Sequence, residues 1–291
     1  MNYDYLAKIK SRISLYTKKK TSNLLDGEFR SVHRGRSFDF DDLREYTYGD
    51  NVKDIDWKSS SKTGKVLIRR YIADKKHNIL FVCDTGHKMM ADTPSGEAKA
   101  DVALETLGTI GYLVESYGAD YATIYSTPMG YDFSYFKSGK VHFENMLTRF
   151  KSCAGEAATE KLSDILMYVS ENIRRRMIIF IITDMEGVSQ ITDDILRHLT
   201  VMNDVMIACI DDAYVTDGFS YDMDEDRYEY EFLSSSKALR EAEHKEREER
   251  MAKGRAICAR YNVSMVTVKS EEEVVDRVVE LFERHRNENV G

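Results

Sequence analysis

Residues 79–88 read ILFVCDTGHK, five apolar residues followed by an acid and, two positions later, a glycine. A short run that is apolar on both faces is typical of a buried strand in a parallel sheet, because a half-exposed strand would alternate apolar and polar residues. In parallel sheets, binding sites lie in the loops beyond the carboxyl ends of the strands. We therefore predict a buried strand that places Asp84 at one edge of a parallel sheet.

Three other segments share this pattern, and helical segments separate them. The predicted strands are residues 79–83, 177–183, 205–210 and 264–268. Strands that alternate with helices along the chain build a parallel sheet covered by helices on both faces. The sequence therefore predicts a doubly wound, mainly parallel α/β fold.

The segments between the strands carry apolar residues three and four positions apart, as amphipathic helices do. We expect Ser95 to cap the first helix and Gly118 to close it in the left-handed conformation. A second helix has its apolar face within residues 162–173. The last helix is predicted to begin with a capping box formed by Ser270 and Glu273.

Two segments depart from this alternation. Residues 1–77 are more polar and contain short β-like runs, so we predict an irregular, partly β N-terminal extension ahead of a main domain at 78–291. Residues 236–261 are highly charged, with spacings that favour pairing of Glu243 with Arg247 and of Glu246 with Arg250. This predicts a solvated helix that projects from the surface, with a partner-binding face as the alternative.

Composition excludes several classes of protein. The 291 residues carry 42 basic and 50 acidic side chains, a net charge of −8, which argues against a dedicated nucleic-acid binder. The longest apolar run, residues 177–182, is far shorter than the roughly 20 residues that span a bilayer. The first residues lack the apolar core of a signal peptide, so we expect a cytoplasmic protein without membrane insertion. Four cysteines without zinc-ligand spacing are expected to be reduced core residues.

Several catalytic and binding motifs are absent. The sequence has no GxxxxGK[ST], no GxGxxG before a helix and no HExxH, so a nucleotide cofactor or a zincin site is not expected. The acidic residues within 222–226 resemble the start of a calcium loop. However, the loop's glycine and glutamate positions hold Arg227 and Leu233. We predict an acidic hairpin turn before Tyr228 instead.

Asp84 and Asp184 each follow a predicted buried strand, so they are expected at the same edge of the sheet. Two neighbouring carboxylates repel each other unless a cation, a hydrogen-bond donor or a proton lies between them. They therefore form a candidate site. The alternative is that each carboxylate simply caps the helix that follows it.

The N-terminal region carries a longer pattern. Residues 34–40 (RGRSFDF), 43–46 (LREY) and 49–57 (GDNVKDIDW) closely resemble the signature of the bacterial domain-of-unknown-function 58 family. The signature residues singled out here are Arg44, Glu45, Tyr46, Gly49, Asp50, Asp54, Asp56 and Trp57. The resemblance covers nearly all of the chain after about residue 25 and implies a von Willebrand factor A-like, Rossmann-type domain. The signature is expected either to lock the extension onto this domain, with Trp57 as an anchor, or to form a docking surface.

Von Willebrand A domains hold Mg²⁺ at a metal-ion-dependent adhesion site built from a DxSxS loop, a distant Thr and a second Asp. By this resemblance, Asp84 and Asp184 match the two acids and Thr159 matches the distant Thr. The two serines are replaced by Gly86 and Lys88. This implies a degenerate site that disfavours Mg²⁺, in which Lys88 bonds Asp84 or Asp184 and replaces the metal electrostatically.

The resemblance implies a non-enzymatic adaptor or assembly factor that acts with a MoxR-type AAA+ ATPase. Two alternatives come from the residues. One is a metal-assisted hydrolase that uses Asp84, His87 and Asp184 around a divalent ion. The other is a purely structural scaffold whose contact surface is the charged helix.

Overall fold

A computed structural model of the chain describes residues 7–13, 40–47, 55–71, 78–155, 161–217, 221–222, 227–228 and 236–288. Of the residues singled out above, Gly49, Asp50, Asp54, Thr159 and Leu233 lie outside these ranges, as do residues 34–39.

The centre of the molecule is a six-stranded sheet. In chain order, the strands are β1 (Phe40–Glu45), β2 (Leu67–Tyr71), β3 (Asn78–Cys83), β4 (Asp120–Thr127), β5 (Gly130–Phe133), β6 (Met177–Asp184), β7 (Asp204–Ile210), β8 (Tyr221–Asp222), β9 (Arg227–Tyr228) and β10 (Ser264–Val268). The central sheet has the order β10-β7-β6-β3-β4-β5, and all its neighbours are parallel except the β4–β5 pair. Strands β1 and β2, and strands β8 and β9, form two small antiparallel pairs.

Helices cover both faces of this sheet. They are α1 (residues 7–13), α2 (Trp57–Thr63), α3 (Lys99–Ser116), α4 (Lys140–Cys153), α5 (Leu162–Asn172), α6 (Met185–Gln190), α7 (Asp193–Thr200), α8 (Lys237–Arg260) and α9 (Val274–Glu288). Phe81 points into an apolar cluster shared with α1, α3, α4 and α9, whereas Val82 points into a second cluster shared with α5, α6, α7 and α8. The predicted fold class is therefore confirmed.

All four predicted strands are present, but β4 and β5 were not predicted. The sequence of β4, DYATIYST, mixes polar and aromatic residues, although most of the strand is buried. Its polar groups are satisfied internally: the Tyr121 hydroxyl donates to the carbonyl oxygen of Gly139, and that of Tyr125 donates to the carbonyl oxygen of Met146. Buried polar groups with partners cost little, which is why the strand tolerates them.

Two helix starts were predicted wrongly, and one helix end was predicted correctly. Helix α3 begins at Lys99, and Ser95 does not cap it: the Ser95 hydroxyl donates to the carbonyl oxygen of Lys269. Helix α9 begins at Val274, after a turn that holds Glu273. Gly118 has φ = +66°, the left-handed conformation predicted for it.

The described part of the N-terminal region is irregular and partly β, as predicted. The side chain of Asp56 caps α2 by accepting a hydrogen bond from the backbone N–H of Ser59. Trp57, the first residue of α2, is 66% exposed. The interpretation of Trp57 as a buried anchor is therefore wrong. The division of the chain at residue 78 stays a prediction.

Three smaller expectations can be compared with the structure. The four cysteines are free and buried, as predicted. Strand β8 pairs antiparallel with β9, as expected for the predicted hairpin, whereas residues 223–226 between them lie outside the described ranges. Within the described ranges, no helix has both the length and the apolar character needed to cross a membrane.

Candidate functional site

Three neighbouring strands end in acids at the same edge of the sheet. Asp84 follows β3, Asp184 is the last residue of β6, and Asp211 and Asp212 follow β7. Parallel pairing aligns these ends, since the backbone N–H of Asp84 donates to the carbonyl oxygen of Ile182 at 2.9 Å. Asp84 is 7% exposed and Asp184 is 1% exposed, so both carboxylates need partners within the protein.

Lys88 supplies a shared partner for two of these acids. A single-turn 3-10 helix, His87–Met90, turns the chain back after β3. The ammonium nitrogen of Lys88 then lies 2.9 Å from Oδ2 of Asp84 and 2.9 Å from Oδ1 of Asp184. Burial alone would lower the pKa of Lys88, but the charges of the two carboxylates raise it above its usual value. The predicted contact of Lys88 is therefore present, and it involves both acids.

A second lysine, which the sequence did not indicate, completes the arrangement. Lys99, in the first turn of α3, is 2% exposed, and its ammonium donates to Oδ2 of Asp184 at 2.8 Å and to Asp212. Burial alone would lower the pKa of Lys99, but the charges of Asp184 and Asp212 raise it. We call Asp84, Lys88, Lys99, Asp184 and Asp212 the strand-end cluster.

The two lysines also determine the ionisation of Asp184. Burial alone would raise the pKa of Asp184, but the charges of Lys99 and Lys88 lower it below its usual value. Asp212 differs, because burial raises its pKa more than Lys99 lowers it. Lys88, Lys99 and Asp184 therefore each hold a stable charge near neutral pH.

Backbone and hydroxyl donors fix the two central carboxylates. Asp84 accepts hydrogen bonds from the Thr183 hydroxyl at 3.0 Å and from the backbone N–H of Gly86 at 3.2 Å. Asp184 accepts from the backbone N–H of Gly187 at 2.9 Å and so also caps α6. A Cβ atom at position 187 would lie 1.9 Å from Oγ1 of Thr183, so only glycine lets the backbone at position 187 lie this close to Thr183. Asp184 therefore both caps a helix and belongs to a charged site.

Helix α8 forms one wall of the site, and Arg247 attaches it there. The Arg247 guanidinium donates to Oδ1 of Asp211 at 2.7 Å and to the carbonyl oxygens of Asp212 and Ala213. It also lies 4.0 Å above the centre of the Tyr214 ring, a cation–π contact. The Arg247 guanidinium, which is planar and has several donors in fixed directions, therefore holds the loop after β7 against α8.

Glu243 attaches α8 one turn earlier. Its carboxylate accepts hydrogen bonds from the backbone N–H groups of Val215 and Thr216 and from the Thr216 hydroxyl. The predicted pairing of Glu243 with Arg247 is therefore wrong, because both side chains reach across to the loop after β7. The predicted pair of Glu246 and Arg250 is present, at 2.5 Å.

A cleft of about 1040 Å³ lies between the strand-end cluster, α6 and α8. Both signs of charge line it. The residues that line it include His87, Lys88, Glu186, Asp212, Leu239 and Arg247. His87, which the hydrolase hypothesis requires, is exposed at this cleft.

The residues at this edge do not fit a magnesium ion. Mg²⁺ requires near-octahedral oxygen ligands. Gly86 has no side-chain oxygen, and the ammonium of Lys88 lies within hydrogen-bond distance of both Asp84 and Asp184, where a shared cation would lie. Across the described ranges, no group of three or more His, Cys, Asp or Glu side chains is arranged to hold a metal ion.

Two of the site residues that the sequence analysis missed, Lys99 and Asp212, did leave signals. Lys99 lies four positions before Ala103 and so extends the apolar stripe of α3 by one turn, which marks it as an inward-facing lysine. Asp212 follows a buried strand, just as Asp84 does. Arg247 gave no such signal, because its pattern is that of an exposed helix.

The chain was compared with known proteins. No curated protein matches it. A solved structure of an aerotolerance-related membrane protein from Bacteroides fragilis NCTC 9343, with multiple mutations to serines, is 11% identical with a TM-score of 0.45. The alignment covers 71% of this chain and 98% of that one. The conserved hypothetical protein BatB from Bacteroides thetaiotaomicron is 11% identical with a TM-score of 0.43, over 72% of this chain and 99% of that one.

A von Willebrand factor type A structure from Catenulispora acidiphila is 10% identical with a TM-score of 0.42, over 72% of this chain and 42% of that one. At these identities and scores, function has to be argued from the family and from the site. The family model described as "Protein of unknown function DUF58" matches residues 42–215, which is more than half of the chain. The protein therefore belongs to the DUF58 family.

Proposed function

We propose that this protein is a non-enzymatic adaptor or assembly factor that binds a partner protein in the cleft beside the strand-end cluster. The observation that carries the proposal is that two lysines of the cluster pair with its three carboxylates. A general acid or base works best when its pKa lies near the working pH. The pKa values of Lys88 and Lys99 are raised and that of Asp184 is lowered, so all three are moved away from neutrality. Such groups suit recognition better than proton transfer.

The rigidity of the cleft also supports this proposal. Arg247 and Glu243 attach α8 to the loop after β7, so the wall and the floor of the cleft are fixed relative to each other. A binding surface that is already ordered loses little conformational entropy when a partner docks. The charged face of α8 that lines the cleft is then part of the contact.

The proposed partner is a MoxR-type AAA+ ATPase in the cytoplasm, acting through this degenerate adhesion site. This part of the proposal comes from the family resemblance, since members of the family are commonly proposed to act with such ATPases in protein maturation or complex assembly. The cleft is compatible with it, because charges of both signs offer several ion pairs to a protein surface.

A pull-down from the native cytosol tests the proposal. The tagged full chain is expected to capture an AAA+ ATPase, and Glu186→Lys is expected to abolish the capture. Glu186 is exposed at the cleft, so reversing its charge changes the proposed contact without disturbing the buried cluster. Glu171→Lys is the matched control, because Glu171 is exposed near the end of α5, just before β6 enters the sheet at the opposite edge.

The outcomes of this experiment separate the two parts of the proposal. An ATPase captured equally by wild type, Glu171→Lys and Glu186→Lys would place the contact outside the cleft. Capture of no ATPase by the wild type, with and without ATP, would remove the proposed partner.

A thermal melt tests the replacement of the metal by Lys88. Lys88→Ala is expected to lower the melting temperature by several degrees, because it leaves Asp84 without its cationic partner. Lys140→Ala, at an exposed residue of α4, is expected to have almost no effect. Added Mg²⁺ should leave the melting temperature of the wild type unchanged. Stabilisation of the wild type by Mg²⁺ would contradict the replacement.

A further inference from the structure

Helix α1 lies in a groove on the face of the domain formed by α3 and α4. Ile9 and Ile13, four residues apart, are its buried residues, and both join the core cluster of that face. Ile9 fits over Gly108 of α3: a Cβ atom at position 108 would lie 2.1 Å from Cδ1 of Ile9 and 3.7 Å from Cδ2 of Leu147. The absence of a side chain at Gly108 therefore creates the notch that receives Ile9.

Charge complementarity surrounds this apolar contact. Arg12 lies 3.4 Å from Glu105 through Nε, donates to the carbonyl oxygen of Glu271 at 2.8 Å, and pairs with the Glu271 carboxylate. Lys8 lies 3.2 Å from the Glu271 carboxylate and 4.0 Å from that of Glu105. Glu105 is only 3% exposed, so its charge depends on these two basic residues. The groove is acidic and its occupant is basic.

The helix depends on the groove more than the groove depends on the helix. The structure describes residues 7–13 of α1, and an isolated helix shorter than about 12–15 residues is marginal in water because the cost of nucleation is not recovered. The groove consists of the long helices α3 and α4, which have their own core contacts, and of the turn before α9 that carries Glu271. Such an arrangement resembles the binding of an amphipathic helix by a preformed groove, with anchors at i and i+4.

We propose that this groove is a helix-binding site, separate from the strand-end cluster, whose occupant is α1. Its ligand class is a short amphipathic helix with two aliphatic residues four positions apart and a basic residue directly before each of them. Lys8-Ile9 and Arg12-Ile13 meet this description. The helix is exchangeable: a separate peptide with the same sequence binds when α1 is displaced.

Displacement of α1 in the full-length chain tests the proposal. In Ile9→Asp, the new carboxylate would face the apolar notch and the acidic groove, so α1 is expected to leave. A fluorescent peptide of residues 1–16 is then expected to bind this variant at least about tenfold more tightly than it binds the wild type, whose groove is occupied. Ser11→Asp is the matched control, because Ser11 is exposed on the same helix, and it should behave like the wild type.

A second substitution tests whether the peptide uses the Gly108 notch. In the Ile9→Asp chain, Gly108→Ala is expected to weaken the peptide at least about tenfold, since the new methyl group fills the notch. The same substitution raises the helix propensity of α3, so the fold should be retained. A peptide with Ile9→Ala has room for this methyl group and should lose little affinity when Gly108 is replaced.

Three results would overturn the proposal. Equal binding of the peptide to the wild type and to Ile9→Asp would mean that α1 does not occupy its site. Absence of binding to a folded Ile9→Asp chain would mean that the groove is not a helix receptor. An Ile9→Asp chain that does not fold would show that α1 is an integral part of the core.

Discussion

Replacement of Lys99 by methionine is expected to lower the free energy of unfolding by about 3–5 kcal/mol, the usual cost of removing one partner from a buried ion pair. Methionine nearly matches the apolar stem of lysine but carries no charge. Asp184 would keep Lys88, whereas Asp212 would lose the ammonium that neutralises it. Chemical denaturation followed by circular dichroism measures the change.

A surface lysine provides the control for this prediction. Lys151 pairs with Asp101 between α4 and α3, with both side chains well exposed, and such pairs contribute about 0–1 kcal/mol. Lys151→Met should therefore have little effect. Asp212→Asn in the Lys99→Met background should recover part of the stability, because it removes the carboxylate that was left alone. A loss of less than about 1 kcal/mol for Lys99→Met would contradict the interpretation that the cluster depends on this lysine.

Replacement of Arg247 by methionine is expected to lower the free energy of unfolding by about 3 kcal/mol and to loosen the first half of α8. The side chains of Arg247 and Asp211 are mostly buried, so their pair is not a surface salt bridge. Without the guanidinium, Asp211 keeps the backbone N–H of Asp212 as a donor, and the carbonyl oxygens of Asp212 and Ala213 lose the donor that Arg247 supplied. Hydrogen exchange of residues 237–250 should become much faster, whereas residues 254–260, where Gly254 and Cys258 are buried, should remain protected.

Arg250 is the matched control for Arg247. It lies one turn further along α8 and forms an exposed pair with Glu246, of the kind that contributes roughly 0.3–0.5 kcal/mol. Arg250→Met should leave both the stability and the exchange pattern almost unchanged. Similar exchange in the two variants would mean that the apolar contacts near Cys258, and not Arg247, hold α8 in place.

The central strands could be predicted because their apolar composition indicates that they are buried. Strands β3, β6 and β7 each contain five or more consecutive apolar residues, so no tertiary information is needed to recognise them. Strand β4 is just as central, but Thr123 and Ser126 interrupt its apolar pattern. The buried Thr123 hydroxyl is tolerated because it donates a hydrogen bond to the Ser134 hydroxyl at 3.1 Å, and Ser134 follows the neighbouring strand β5. Such partners are visible only in three dimensions.

The same distinction applies to the site. Asp84 and Lys88 lie four residues apart in one loop, so their contact could be inferred from the loop itself. Lys99 meets Asp184 across 85 positions of sequence, and Arg247 meets Asp211 across 36. Charged side chains on helices normally face water, and nothing local distinguishes Arg247 from the others, whereas only its position on the apolar stripe of α3 distinguishes Lys99. The contact within the loop could be predicted, whereas the contacts of Lys99 and Arg247 depend on how the helices pack on the sheet.

The exposure of Trp57 has a consequence for spectroscopy. It is the only tryptophan in the chain, and it lies on α2, outside the six-stranded sheet. Its indole should emit as a water-exposed fluorophore both before and after the sheet unfolds, so tryptophan emission would miss the main unfolding transition. Tyr121 and Tyr125, buried within the sheet, are the intrinsic probes of that transition. The emission wavelength of Trp57 should stay unchanged during unfolding. A blue shift of that emission would therefore report selectively on a molecule that covers α2.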